Sequence, residues 1–190
     1  TLGSPISLFI ENKDFPNWQK SMSPVPVNEK IEPVTQLRPG HADYAGVVKY
    51  DQKDIRNILE RSSARSTVAL VAAGAICKQF LENFKIAIVS KIVSIEKIEV
   101  NATQLNNAAK KRIDEAREAG TSLGGIIELE VKNPPIGLGS HVQNDRKLDG
   151  RLAGALMALQ TVKGVEFGLG FEAAKLPGNV VHDELFSEKG

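Results

Sequence analysis

The stretch IAIVSKIVSIEKIEV at residues 86–100 decides the fold class of this chain. It is rich in isoleucine and valine and alternates in part between apolar and polar residues, which predicts β-strands. Further strands are predicted at 6–10, 125–131 and 165–173, where short apolar runs recur. Strands and helices come in blocks rather than in regular β-α alternation, so their order favours an α+β fold over a doubly wound parallel sheet.

Helices are predicted on both sides of this stretch. Residues 54–83 place apolar side chains at three- and four-residue spacing, and Asp51 is a suitable N-cap in front of them. Residues 68–77 are apolar on nearly every side, so this helix is expected to be central and covered on more than one side. Two further helices are predicted at 106–119 and 145–162, each with one apolar face.

The segment 12–33 carries four of the nine prolines of the chain, together with its tryptophan, Trp18. This composition predicts a long irregular loop. Loops of such length inside a domain are usually functional or mobile. We expect Trp18 to anchor the loop rather than to stack on a ligand.

The composition of the 190 residues is that of a globular protein, with 42% apolar and 25% charged residues. We expect one domain over residues 1–190, the incomplete core of a longer chain. A net charge of +1 argues against a nucleic-acid partner held by bulk charge. No apolar run reaches the ~18 residues of a membrane span, so we expect no membrane partner and a cytoplasmic location. Cys77 lies in an apolar helical run and is expected to be buried.

A turn with the sequence RPGHAD, residues 38–43, is the first candidate site. Pro39 and Gly40 predict a tight turn with little side-chain bulk beside His41. Histidine transfers protons near neutral pH, and Asp43 is placed to orient the ring or to stabilise its protonated form. His41 is therefore a candidate proton-transfer residue. The alternative is a histidine that only satisfies a carbonyl of the turn.

A serine and arginine cluster with the sequence RSSAR is the second candidate site. Arg61 and Arg65 are one helical turn apart and are expected to face the same side of the predicted helix. Ser62 and Ser63 place hydroxyl groups beside them. Arginine and hydroxyl groups bind phosphate, so a bound anion would satisfy the charges of this cluster. The alternative is ion pairing with Glu60 or with acidic residues elsewhere.

Other polar features carry weaker signals. The loop GLGSH at 137–141 is superficially similar to a dinucleotide fingerprint but lacks the third glycine. His141 and His182 have no partners at metal-ligand spacing, so no metal site is expected. Gln160 and Thr161 follow apolar residues near the end of the last predicted helix, and they either point into a cavity or face water.

The motifs of this chain, taken in order, resemble those of the chorismate synthase family over nearly the whole sequence. The RPGHAD turn is similar to the family's histidine motif, and the RSSAR cluster is similar to its serine-arginine signature. Six stretches follow the family's order: TLGSPISLFIEN at 1–12, RPGHADYAGVVKY at 38–50, ERSSARSTVALVAAGA at 60–75, GLGSHVQNDRKLDGRLAGALM at 137–157, KGVEFGLGFEAA at 163–174 and PGNVVHDE at 177–184.

The resemblance implies a fold, an activity and partners. The implied fold is a β-α-β sandwich with long helices packed between antiparallel sheets, assembled as a homotetramer. The implied enzyme is a lyase of the shikimate pathway of aromatic amino acid biosynthesis. It removes phosphate and a proton from 5-enolpyruvylshikimate 3-phosphate in an anti 1,4-elimination that gives chorismate. The reaction uses reduced FMN (FMNH2) without net redox change, and either NADPH on the protein or another source reduces the flavin.

The resemblance also implies roles for individual residues. His41 corresponds to the active-site histidine of the family that protonates the reduced flavin. Arg65 corresponds to an arginine that reaches the anionic groups of the substrate. The flavin-contacting positions of the family fall on Arg61, Ser62, Ser63, Gln160 and Thr161.

The chain also departs from the family's pattern. The GESHG motif with the second histidine is absent, and so are the asparagine-glycine-rich flavin loop, the KPIPT stretch and the RSD motif. Ser66, Val68 and Leu70 stand where the family usually has Glu, Ala and Arg. Two interpretations follow: the core of a chorismate synthase whose intact form is a lyase, or a noncatalytic anion- or flavin-binding module that keeps the fold.

Overall fold

In a computed structural model that describes residues 3–187, the stretch at 86–100 folds into two strands of a three-stranded antiparallel sheet. The strands are β1 (Ala87–Ile95), β2 (Ile98–Ala102) and β3 (Gly125–Lys132), in the order β2-β1-β3. Ile95 pairs with Ile98 across a tight hairpin turn. These strands confirm the predictions at 86–100 and 125–131. Together with separate helices, they confirm the α+β class.

The chain divides into two compact units, Thr1–Gly74 and Ala75–Gly190. Its longer helices are α1 (Asp43–Tyr50), α2 (Arg56–Ser62), α3 (Thr67–Glu82), α4 (Asn107–Glu118) and α5 (Leu148–Met157), followed by the single turn α6 (Gly178–Val181). Short 3-10 helices cover Phe15–Asn17, Ala64–Ser66, Asn144–Arg146 and Gly170–Lys175. None of the helices in the described residues has the length and hydropathy needed to cross a membrane. That residues 1–190 form one domain stays a prediction.

Helix α4 confirms the predicted polar helix after the hairpin. Asn106 caps it, because the side-chain Oδ1 accepts the Ala109 N–H at 2.9 Å. Ala109 and Ala116 are buried, so the sparse apolar stripe packs inward. Arg112 contacts Glu96 at 2.6 Å, which ties α4 to the hairpin turn and lowers the pKa of the Glu96 carboxyl.

The continuous helix predicted at 54–83 is wrong. Ser63 has extended backbone angles, φ −70° and ψ 135°, and separates α2 from the 3-10 helix Ala64–Ser66 that precedes α3. Serine side chains offer the backbone local hydrogen bonds that compete with the helix, which accounts for the break. Asp51 is not an N-cap. It lies at the C-terminal end of α1 with a left-handed φ of 49°.

The prediction that this region forms a covered central helix is also wrong for the described residues. No residue of α3 is buried, and Val68, Leu70 and Val71 are substantially exposed. Cys77, expected to be buried, is exposed. Helical periodicity correctly predicted a helix at the position of α3, although not its continuity with α2. Burial requires a second apolar surface, and within residues 3–187 no side chain of α3 is buried.

The N-terminal segment differs from the prediction in one respect. Residues 6–10 form no strand, and Phe9 is 91% exposed. An isolated apolar run has β-propensity without a partner strand to complete its hydrogen bonds. The irregular loop at 12–33 is confirmed, with one turn of 3-10 helix at Phe15–Asn17.

Two elements predicted near the C-terminal end are shorter or absent. Helix α5 covers Leu148–Met157, inside the predicted 145–162, and it starts no earlier than Leu148 because Lys147 is extended with a ψ of 132°. The strand predicted at 165–173 is wrong. Gly168 and Gly170 have left-handed φ values of 58° and 51°, which turn the chain out of an extended conformation and into the 3-10 helix.

Candidate functional site

The histidine turn is built around a buried carboxylate. Asp43 is the first residue of α1, and its side chain has no exposed surface. Arg38 donates to Oδ2 from its backbone N–H at 2.9 Å and from Nε at 3.0 Å, and to Oδ1 from Nη2 at 3.2 Å. A charge-assisted fork of this kind permits burial of a carboxylate. The hydrogen bonds from Arg38 hold the pKa of Asp43 below its usual value.

His41 lies at the exposed edge of this pair. Gly40 precedes it with a left-handed φ of 72°, which glycine adopts without steric cost. The ring is 45% exposed, and its Nδ1 lies 3.2 Å from Nη2 of Arg38 and 3.9 Å from Oδ1 of Asp43. Of the two groups, Arg38 is at hydrogen-bond distance. In the observed geometry the ring is therefore in direct contact with Arg38, which Asp43 holds in place.

The RSSAR cluster is divided by the helix break, which corrects one expectation. Arg61 lies in the last turn of α2, whereas Arg65 belongs to the following 3-10 helix, so the two arginines do not share one face of a continuous helix. The reason is Ser63, whose Oγ accepts the Arg65 N–H at 3.2 Å and replaces a helical hydrogen bond. Both arginine side chains are exposed.

The two serines differ in what their hydroxyl groups can still do. Oγ of Ser62 donates its hydrogen to the Ile58 carbonyl at 3.0 Å. Oγ of Ser63 acts as an acceptor, so its hydrogen remains available for an acceptor oxygen such as that of a phosphate. Both serines are half-buried. Ser63 is thus the better anion donor of the pair.

Arg65 forms the type of ion pair that the alternative interpretation predicted, with Asp14 rather than Glu60. Its Nη1 lies 2.8 Å from Oδ2 of Asp14, while 72% of the Arg65 side chain stays exposed. Asp14 also accepts hydrogen bonds from Asn17 and from the indole N–H of Trp18, each at 2.9 Å. These donors, Arg65 first, lower the pKa of Asp14 to about 2.

Gln160 and Thr161 belong to the second unit, in a turn that follows α5. Gln160 is half-buried and Thr161 is exposed. Thr161 has a φ of 75°, which is unfavourable for a β-branched residue and costs on the order of 1–3 kcal/mol. The structure thus brings His41, Arg61, Ser62, Ser63 and Arg65 into one unit, and places the other two predicted flavin contacts in the other.

Sequence reasoning missed two residues of these clusters. No contact between Arg38 and His41 was predicted, yet Nη2 of Arg38 lies at hydrogen-bond distance from the ring. The position of Arg38 five residues before Asp43 was an available signal, because a turn brings such residues together. Asp14 gave no local signal, since 51 residues separate it from Arg65.

Comparison with known proteins identifies the family of the chain. The family model described as chorismate synthase matches residues 1–189. This chain belongs to the chorismate synthase family. The chain is 49% identical over 189 residues to the chorismate synthase of Thermoanaerobacter pseudethanolicus, covering 100% of this chain and 50% of that relative. It is 47% identical over 223 residues to the chorismate synthase of Aquifex aeolicus, covering 100% of this chain and 55% of that relative.

A solved chorismate synthase structure confirms the fold. The crystal structure matches with a TM-score of 0.71 and 46% sequence identity, covering 75% of this chain and 51% of that chain. The chain spans about half the length of the curated chorismate synthases that it matches. The recognised motifs therefore belong to a member of the family. This sequence corresponds to about half of the relatives that it matches.

Proposed function

We propose that this chain is the core of a chorismate synthase, a lyase of the shikimate pathway. The intact protein would remove phosphate and a proton from 5-enolpyruvylshikimate 3-phosphate to give chorismate. The single observation that carries the proposal is that both candidate sites lie in the same unit. A histidine turn suited to proton transfer and a serine-arginine cluster suited to anions both lie in Thr1–Gly74, in a chain of this family.

The serine-arginine cluster fits a flavin mononucleotide. FMN carries an anionic phosphate, and Ser63 has a hydroxyl hydrogen to donate while Arg61 presents an exposed guanidinium group. Gln160 and Thr161, in the second unit, stay predicted flavin contacts on the family resemblance alone; the first is half-buried and the second is exposed. When bound, reduced FMN would supply an electron-rich ring to a reaction without net redox change.

Arg65 is the residue we assign to the substrate. The phosphate and carboxylate groups of 5-enolpyruvylshikimate 3-phosphate are anionic, and a guanidinium group binds such groups through paired N–H donors. The contact with Asp14 occupies one nitrogen of Arg65, and 72% of the side chain remains exposed. Asp14 holds the guanidinium in one place without burying it.

His41 is the proton-transfer residue of the proposal. Its ring is partly exposed, so a ligand can reach it. The side chains that contact it are those of Arg38 and Asp43, from the same motif. A general acid or base must lie within hydrogen-bond reach of the group it serves. In the proposed enzyme His41 would hold a proton for the reduced flavin and so help to set its ionic form.

The direct test is formation of chorismate by the intact protein. Purified protein should convert 5-enolpyruvylshikimate 3-phosphate when reduced FMN is supplied chemically, and it should release phosphate in equal amount. Parallel reactions with oxidised FMN plus NADPH show whether the protein reduces its own flavin. No product with reduced FMN would exclude the proposed activity.

Flavin binding offers a second test with a matched control. Arg61→Ala combined with Ser63→Ala should weaken FMN binding at least tenfold, since each charge-assisted hydrogen bond contributes about 1.5–3 kcal/mol. Ser62→Ala should weaken binding less, because the Ser62 hydroxyl hydrogen is engaged by Ile58. Equal binding by the double variant and the parent in a fluorescence titration would remove these residues from the flavin site.

A homotetramer in the cytoplasm is the proposed state of the intact protein. The apolar side chains of α3 and of β3 are exposed, and apolar surface of this kind is commonly covered by association. Light scattering should show a tetramer or a dimer. A stable monomer at micromolar concentration would contradict the assembly proposal without affecting the assigned reaction.

The second candidate is a noncatalytic module of the same fold that binds anions or flavin. The observation that favours it is length, since the chain spans about half of the relatives that it matches. The mass of the expressed protein separates the two candidates. A mass near twice that of this chain favours the enzyme, whereas a mass of 20.6 kDa favours the module.

A further inference from the structure

The contact between Arg38 and His41 bears on which nitrogen of the ring carries a proton. Nη2 of Arg38 lies 3.2 Å from Nδ1 of His41 and 3.2 Å from Oδ1 of Asp43. A guanidinium nitrogen of this type has two hydrogens and no acceptor capacity. Each hydrogen therefore has its own acceptor, one on the carboxylate and one on the imidazole.

We propose that Arg38 is a positioning residue that holds the neutral His41 ring in the tautomer with its hydrogen on Nε2. Nδ1 can meet a guanidinium N–H only through its lone pair, so the single hydrogen of the neutral ring must lie on Nε2. The inference rests on the proposed role of His41 in proton transfer, and it adds the nitrogen that exchanges the proton.

Burial of Asp43 explains why Arg38 can impose this state. Three hydrogen bonds from Arg38 reach a carboxylate with no exposed surface, so the position and plane of the guanidinium are fixed. His41 itself is 45% exposed on a glycine-containing turn. The His41 side chain therefore has few packing contacts to fix its conformation, and the contact with the fixed Arg38 guanidinium restrains it.

Protonation of His41 would change the hydrogen-bond partner of its Nδ1 from Arg38 to Asp43. Both nitrogens of an imidazolium are donors, so its Nδ1–H cannot remain against Nη2 of Arg38. Oδ1 of Asp43 is the acceptor on the same side, 3.9 Å from Nδ1, and a small movement of the ring brings it within hydrogen-bond distance. Among the described residues, Arg38 and Asp43 are the charged groups in contact with His41.

Nitrogen NMR tests the tautomer without flavin, substrate or turnover. Two-bond proton–nitrogen spectra of the labelled chain at pH about 9, where free imidazole is neutral, distinguish a protonated ring nitrogen from one with a lone pair. The chain has three histidines, and exposed His141 and His182 serve as internal references. We expect Nδ1 of His41 at the limiting shift of a non-protonated nitrogen, and averaged shifts for the other two.

Two variants sharpen the test. Arg38→Ala combined with Asp43→Ala removes the guanidinium without leaving a buried carboxylate alone, and it should move the His41 shifts to the averaged values of the references. Asp14→Asn is the control, because it removes a carboxylate of the same unit that pairs with Arg65 and leaves the hydrogen bonds between Arg38 and Asp43 in place, and it should keep the limiting shift. Retention of the limiting shift in the double variant would overturn the inference.

The parent spectrum decides the question even where a variant does not fold. A hydrogen on Nδ1 of His41, or averaging equal to that of the references, would contradict the role of Arg38. That result would leave the proposed lyase activity standing, because turnover of the intact protein is measured separately. Conversely, loss of the proposed function would not alter the tautomer.

Discussion

Two of the arginine-aspartate pairs in the first unit, one at each candidate site, have the same chemistry and opposite surroundings. Arg38 meets Asp43 through three hydrogen bonds, and that carboxylate is fully buried. Arg65 meets Asp14 through one hydrogen bond at 2.8 Å, and most of the arginine is exposed. Exposed ion pairs add little to the free energy of unfolding, whereas removing one partner of a buried pair leaves an uncompensated buried charge. The first pair therefore supports the turn that carries His41, and the second leaves Arg65 available to an anion.

The largest expected effect concerns the residue that the buried pair supports. His41→Ala in the intact protein should slow turnover by ~10²–10⁴-fold, the usual contribution of a positioned acid-base group. Affinity for 5-enolpyruvylshikimate 3-phosphate should change much less, because arginines hold its charge. Steady-state kinetics with reduced FMN measures both quantities. Weakened affinity with near-normal turnover at saturation would instead assign His41 to substrate binding.

The exposed pair predicts the opposite kinetic pattern. Arg65→Ala should raise the substrate KM by roughly 10–100-fold, which corresponds to about 1.5–3 kcal/mol for hydrogen bonds to a charged group. Asp14→Asn is the matched variant, since it removes the partner and leaves the guanidinium, and it should raise KM by a smaller factor. An unchanged KM in Arg65→Ala would mean that the arginine serves only its pair with Asp14.

Stability should separate the two pairs next. Asp43→Asn places a buried amide against the donors of Arg38 and should lower the midpoint of urea unfolding clearly. Asp14→Asn acts on a partly exposed carboxylate and should lower the midpoint much less. Circular dichroism of the two variants and the parent gives the comparison. Equal shifts would show that burial does not distinguish the pairs.

The smallest effect is the acid titration of the exposed pair. Asp14 has a pKa of about 2 in the folded chain, below the ordinary aspartate value of about 3.9. A lowered pKa means that its stabilising contribution is complete above about pH 4 and is lost as the pH falls through about 2. Trp18 is the one tryptophan of the chain, and its indole N–H donates to Asp14.

Trp18 fluorescence therefore reports this titration. The parent should show a transition with a midpoint near pH 2, the pKa of Asp14, and Asp14→Asn should remove that transition. High salt should raise the midpoint, because it screens the pairing of Asp14 with the exposed Arg65. A midpoint near the ordinary aspartate value would contradict the ion pair.

Local signals account for the elements that the sequence predicted well. Helix α4 has its own cap at Asn106, and the hairpin of β1 and β2 needs only a short turn between two β-branched runs. Elements that depend on a distant partner were predicted less well. The runs at 6–10 and 165–173 have strand-like composition but form no strand, and within residues 3–187 no side chain of the apolar helix α3 is buried.

The two candidate sites likewise combine features that the sequence predicted with hydrogen bonds that it did not. Residue types alone predicted proton transfer at the RPGHAD motif and anion binding at the RSSAR motif, and both roles stay predictions. The hydrogen bonds within the motifs were not predicted. Ser63 breaks the helix through a bond to the Arg65 N–H, a competition between side chain and backbone that helical periodicity does not reveal.

By itself, the sequence determined the residue types of both sites, the α+β class and the membership in the chorismate synthase family. Only the tertiary structure decided that Asp43 is buried, that Arg38 lies between it and His41, and that Arg65 meets an aspartate 51 residues away. The physical reason is the separation along the chain over which each kind of interaction acts. Propensities, caps and turns act over a few residues, whereas burial and ion pairing depend on which distant segments the folded chain brings together.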